Sequence, residues 1–116
     1  MSSYSIEAYN NFLQELKTIE KLLKSDLKEL KINSGNNVNT VNIENSIRKN
    51  LDSYMNNLNK TRADYTGNAN EIKKTIPERE YNRRINEIVD LNSNVLAMKS
   101  EYEGVISNKY KYVKFI

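Results

Sequence analysis

Residues 77–109 read PEREYNRRINEIVDLNSNVLAMKSEYEGVISNK, and the spacing within this stretch decides the fold. Tyr81, Ile88, Val95, Tyr102 and Lys109 recur every seven residues, and Arg84, Leu91, Met98, Val105 and Tyr112 fall between them. Eight of these ten are apolar or aromatic, the exceptions being Arg84 and Lys109. That is the period of an amphipathic helix with one apolar stripe, widened by Ile85 and Ile106, and it predicts a helix over 77–109. The boundary before it is also written in the chain. A residue that precedes proline is pushed out of helical geometry, so an earlier helix must end near Ile76. Pro77 then suits the first turn of the next helix, and Thr75 and Glu78 have capping-box spacing.

The same test on the preceding segments gives the same answer. Ile6, Leu13, Glu20 and Leu27 alternate with Tyr9, Leu16, Leu23 and Leu30; seven of the eight are apolar or aromatic, and Phe12 and Ile19 broaden the stripe. A helix is predicted over 4–32. In the middle, Leu51, Leu58, Tyr65 and Ile72 repeat every seven residues with Ile47 and Tyr54 between them, until Thr61 and Asn68 interrupt. A second helix is predicted over 41–66 or further. Asn33 to Thr40 reads as a polar loop. With only three Gly and one Pro, the chain has few breakers and therefore few, long elements. No run alternates long enough to argue a strand; the nearest, Tyr110 to Ile116, reads equally well as the end of the third helix.

Together these segments predict an all-α, elongated, antiparallel up-down-up three-helix bundle, one domain over 1–116, with helices about 45 Å long. Leu16, Leu23, Leu51, Leu58, Ile88, Leu91, Val95 and Met98 are the expected core. Tyr9, Tyr54, Tyr65, Tyr81 and Tyr102 lie on the apolar stripes and are read as core packing.

Composition narrows the function. The 116 residues hold 18 basic and 15 acidic side chains, a net +3, with mean hydropathy −0.77. So small an excess, without a long basic run, predicts no nucleic-acid partner. Cys and His are both absent, which removes disulfides, thiol nucleophiles, imidazole bases and the commonest metal ligands. No metalloprotease, phosphate-loop or nucleophile-elbow motif occurs. The carboxylate pairs Glu78/Glu80 and Glu101/Glu103 are two residues apart and do not share a helix face. The expectation is therefore a non-enzyme with no metal and no cofactor. No stretch approaches 18 apolar residues, and Met1-Ser2-Ser3-Tyr4 lacks signal-peptide features, so a soluble, cytosolic chain is expected.

Two basic clusters are the candidate binding features. In an up-down-up bundle Arg62, Lys73, Lys74, Arg79 and Arg83, with Arg84, gather at one end, diluted by Asp64, Glu71, Glu78 and Glu80. That end suits an acidic protein partner or an anionic membrane surface. The tail Lys109 to Ile116 interleaves cations with aromatics; it reads first as a helix end whose lysines complement the dipole, and second as a membrane- or RNA-touching segment.

The third segment also carries a family resemblance. Asn82-Arg83-Arg84, then Leu91-Asn92-Ser93, Val95, Lys99, Tyr102 and Asn108-Lys109 resemble the last N-terminal helix of Qb-type SNAREs, especially the novel plant SNARE branch. The first two segments match that branch, and the Vti-like one, in length and apolar pattern. Phe115-Ile116 departs from the acidic continuation of the family. The resemblance implies an Habc-like regulatory domain whose SNARE motif and membrane anchor lie outside this chain. It would act in vesicle trafficking and membrane fusion at the cytoplasmic face of Golgi, endosomal or other endomembranes. Its partners would be its own SNARE motif, other SNAREs or trafficking adaptors, and the domain itself would be monomeric. The alternatives are a coiled-coil structural subunit and a small secreted helical protein.

Overall fold

A computed structural model describes residues 4–35 and 39–110. Among these residues the chain is all-helical: α1 spans Ile6–Ser34, α2 Val41–Gly67, α3 Ala69–Thr75 and α4 Glu78–Lys109. The molecule is elongated, with principal extents of 60 × 23 × 17 Å. Lys111 to Ile116, the greater part of the Lys/Tyr-rich tail, lie outside the described residues.

Helix ends follow local chemistry. Ser5 caps α1 by accepting the Ala8 N–H at 3.1 Å, with Glu7 in the first turn complementing the dipole. Ile76 is extended (φ −133°, ψ 155°), as a residue before proline must be. The capping box expected from Thr75 and Glu78 does not form. Thr75 ends α3, and its hydroxyl donates back to the Ile72 carbonyl at 2.8 Å, so Pro77 starts α4 without a side-chain cap.

The middle segment is two helices, which corrects the expectation of three elements. The interruption falls at Asn68 (φ −119°, ψ 27°). Gly67 supports a helix poorly, and around it side chains compete for backbone carbonyls. Thr66 Oγ1 donates to the Arg62 carbonyl at 3.0 Å, and Asn68 Nδ2 to the Asp64 carbonyl at the same distance. The apolar repeat nevertheless crosses the break, because Ile72 on α3 is fully buried.

Contacts between helices alternate in direction along the chain. Glu15 and Asp26 of α1 accept from Asn57 and Ser46 of α2 respectively, so partner numbers fall as α1 advances. Against α4 they rise: Tyr9 meets Glu87 and Lys31 meets Glu101. Between α2 and α4 they fall again, from Arg48 with Tyr102 to Tyr65 with Tyr81.

The apolar stripes meet in one core. Leu16, Leu23, Leu51, Leu58, Ile88, Val95 and Met98 are buried, and so are all five stripe tyrosines. Leu91 is the exception and packs against the core half-buried. Asn92 beside it is equally half-buried, so the contact line runs between the two. A straight helix drifts about 20° per heptad against a seven-residue repeat, which accounts for this. Leu23→Ala should therefore lower unfolding free energy by about 2–5 kcal/mol in urea titration, and Leu91→Ala by less than half as much. Equal losses would overturn the half-buried placement of Leu91.

Candidate functional site

One end of the molecule is organised around a buried cation. Arg84 occupies a core position of α4 and is only 2% exposed. Its Nε donates to Glu80 Oε1 at 3.0 Å, and its Nη1 donates to the Tyr4 carbonyl at 2.8 Å and to the Tyr65 hydroxyl at 2.9 Å. The guanidinium carbon lies 4.7 Å from the centre of the Tyr9 ring, a cation–π distance. Tyr9 in turn donates its hydroxyl to Glu87 Oε1 at 2.7 Å, and Tyr81 donates to the Tyr65 carbonyl at 3.0 Å. Tyr4 meets Tyr65 edge-on, and Tyr65 stacks on Tyr81, with centroids 5.7 and 6.3 Å apart. A buried charge is tolerated only when paired and hydrogen-bonded, and these contacts from α1, α2 and α4 supply that.

The cluster perturbs its own titration. Hydrogen bonds from Arg83, and then Arg84, hold the Glu80 carboxyl down at about 2. Burial raises the Tyr9 hydroxyl far above the usual phenol range, with the Glu87 carboxylate adding to it. Tyr65 is also raised by burial, opposed by Arg84. Tyr54 differs. Burial pushes it up to about 12, with Glu20 contributing, and its hydroxyl has no hydrogen-bond partner among the described residues.

The opposite end has a second polar tie. Thr40 and Glu44, at the start of α2, are buried, and Thr40 Oγ1 donates to Glu44 Oε2 at 2.7 Å. Lys109, at the end of α4, donates to Thr40 Oγ1 and lies 3.6 Å from Glu44 Oε2. Tyr110 donates to the same carboxylate at 2.9 Å, and that bond raises its pKa.

All five predicted binding residues, Arg62, Lys73, Lys74, Arg79 and Arg83, are exposed and occupy the end where α2, α3 and the start of α4 meet. Two of them are engaged. Arg83 pairs with Glu80 at 2.6 Å and with Glu87 at 3.6 Å; Lys73 pairs with Glu78 at 3.7 Å and lies over the Tyr81 ring. Arg62, Lys74 and Arg79 form no ion pair among the described residues. Arg84 does not belong to this surface group, because its core register turns it inward. The buried ties at both ends escaped sequence reasoning, although a signal existed: Arg84 and Lys109 are the two charged interruptions of the α4 stripe, and Glu44 lies seven residues before Leu51.

Among the described residues no group of three or more His, Cys, Asp or Glu could hold a metal ion, and no helix is long and apolar enough to cross a membrane. What the helices leave open are grooves. One of about 260 Å³ between α2 and α4 is lined by Arg48, Leu51, Met55, Lys99 and Tyr102. Another of about 380 Å³ between α1 and α4 is lined by Leu27, Ile32, Met98, three lysines and Glu101. Comparison with family models, with curated proteins and with solved structures finds no match to this chain.

The tyrosines yield a test with opposite signs. Tyr65→Phe strands a buried Arg84 N–H and should cost about 1–3 kcal/mol in chemical denaturation. Tyr54→Phe removes a hydroxyl that has no partner and should leave stability unchanged or raise it by up to about 1 kcal/mol. A loss for Tyr54→Phe comparable to that of Tyr65→Phe would contradict the hydrogen-bond assignment. Glu80 yields a pH test. Its folded pKa lies below the ordinary 4.5, so its contribution is fully present above about 4.5 and fades as pH falls toward about 2. The stability difference between the parent chain and Glu80→Gln should shrink over that window. A difference that persists at about pH 2 would show that ionisation is not the cause.

Proposed function

We propose that α1, α2 and α4 form an up-down-up three-helix bundle, capped at one end by α3, and that it is a non-catalytic partner-binding domain. The alternating order of the interhelical contacts supports the topology. The observation that carries the function is the pair of grooves between helices whose ends are tied by buried polar clusters. A groove between rigid helices takes an amphipathic helical segment, with affinity set by a few apolar anchors and selectivity by the charged rims.

The resemblance of residues 82–109 to Qb-type SNAREs makes the domain Habc-like, regulating vesicle trafficking and fusion at the cytoplasmic face of endomembranes. On this reading the first partners are SNARE helices, its own or another's, followed by trafficking adaptors. The basic end offers Arg62, Lys74 and Arg79 to an acidic partner or to membrane phosphates, with Lys73 and Arg83 available on exchange of their carboxylates. A coiled-coil structural subunit is the second reading. Val89 and Leu96 favour it, since they lie seven residues apart on α4 and are 51% and 48% exposed.

Sedimentation separates the two readings: a regulatory bundle stays monomeric at concentrations where a coiled-coil subunit self-associates. Titration with SNARE-motif helices, adaptors and anionic liposomes at low salt should give saturable binding. It should weaken in the Arg79→Glu/Arg83→Glu variant and toward physiological salt, where exposed charges are screened within about 8 Å. No binding above background would leave a passive helical spacer as the better description.

A further inference from the structure

Five lysines of α1, Lys17, Lys21, Lys24, Lys28 and Lys31, follow one another at intervals of four, three, four and three residues. That spacing aligns them along one face of the helix, a step of about 5 Å apart. All five are exposed. The last three line the groove between α1 and α4, whose apolar lining is Leu27, Ile32 and Met98. Lys24 pairs with Glu20 of its own helix and Lys31 with Glu101 across the groove. Lys17, Lys21 and Lys28 form no ion pair among the described residues. One wall of this groove is thus a cationic row, paired at Lys24 and Lys31 and open at Lys17, Lys21 and Lys28, beside an apolar lining whose exposed member is Ile32.

We propose that the α1–α4 groove is a docking site for an acidic amphipathic helix, a protein segment with carboxylates at heptad spacing along an apolar seam. This rests on the partner-binding reading and names the wall used and the chemistry of the partner. Charge complementarity sets the sign, and period sets the shape. A helix lying along α1 presents its own residues at the same alternating intervals of three and four, so each lysine meets a carboxylate in register. The apolar strip supplies the anchor that charge alone lacks.

Other occupants fit less well. An anionic bilayer would meet the lysines with little apolar surface to insert, because most of the apolar face of α1 is spent in the core and its exposed large apolar residues, Ile6, Leu22 and Ile32, are scattered along the helix. Among the described residues a second copy of the chain offers no free acidic row. Glu80, Glu87 and Glu101 have suitable spacing, but they are held by Arg83 and Arg84, by Tyr9 and Arg83, and by Lys31. The residues after Tyr110 add two lysines and no acid.

The test is calorimetric titration of the full chain with a synthetic helix carrying glutamates at alternating intervals of three and four beside a leucine seam. A scrambled peptide of identical composition and phosphatidylserine-rich vesicles serve as competitors. The patterned helix should bind, and the Lys17→Glu/Lys21→Glu/Lys28→Glu variant should weaken it at least about tenfold at low salt. The Lys49→Glu/Lys60→Glu/Lys114→Glu variant, with the same change in net charge and with the basic-end cations left in place, should affect it far less. If the reversed ladder fails to fold by circular dichroism, the corresponding triple Gln variant should show a smaller loss in the same direction. Equal binding of patterned and scrambled peptides, binding of vesicles alone, absence of binding, or equal effects of the two triple variants would each overturn the proposal. The SNARE reading fails separately. If the patterned helix binds through the ladder while no SNARE helix binds, only the SNARE assignment falls. If SNARE helices bind and ladder reversal leaves them unaffected, only the groove assignment falls.

Discussion

The rest of the structure is arranged around the burial of Arg84. Removing a guanidinium from water costs several kcal/mol unless its donors are filled, and here the acceptors come from three different parts of the chain. The Tyr4 carbonyl comes from the entry to α1, the Tyr65 hydroxyl from the end of α2, and the Glu80 carboxylate from the preceding turn of α4. A slip of α1 by one turn would carry the Tyr4 carbonyl about 5.4 Å away and strand a buried N–H. Apolar stripes alone tolerate such slips, because one leucine replaces another. The arginine ties the register of the helices to one arrangement, and the aromatic rings around it exclude the water that would otherwise relax that demand.

The other end shows the same division of labour with different chemistry. Thr40 and Glu44 open α2 and are buried against Lys109 and Tyr110, which close α4. Between the two polar ends the core is aliphatic apart from Tyr54, with Leu23, Leu58, Ile88 and Val95 almost wholly removed from solvent. The middle contributes non-directional burial, and the ends contribute directional constraint. Loss of either end leaves helices that still prefer to associate but are less restricted in how they slide.

Sequence period was enough to find the long helices and nearly all of the core, because apolar residues at heptad spacing have few alternatives. Its exceptions held the rest. Glu20, Arg84 and Lys109 broke the stripes, and each proves to face a specific neighbour: Arg84 and Lys109 the two polar ties, Glu20 the ammonium of Lys24. Pattern alone could not say whether a charge at a core position is buried and paired or marks a frayed edge, since its acceptors lie up to 80 residues away. The break at Asn68 and the missing capping box were hidden for a different reason. Both are settled by competition for single carbonyls among Thr66, Asn68 and Thr75, which spacing does not resolve. The basic end was legible as a cluster, yet sequence could not show that Lys73 and Arg83 are engaged or that Arg84 is buried.

This bears on how charge should be counted on a helical surface. The end with the most basic residues also contains the first turn of α4, where Glu78 and Glu80 are favoured by the helix dipole and therefore present as ready counter-ions. Cations placed there are partly neutralised by the same chemistry that starts the helix. The lysines of α1 run through the body of a helix, away from its first turn, and Glu20 is the one carboxylate among the described residues seen to pair with them from α1 itself. Two of the five lysines are paired, as are two of the five cations at the basic end, but the α1 row lies beside apolar surface at the exposed Ile32. Field and anchor coincide along that groove, whereas at the basic end the charges stand on a largely polar junction.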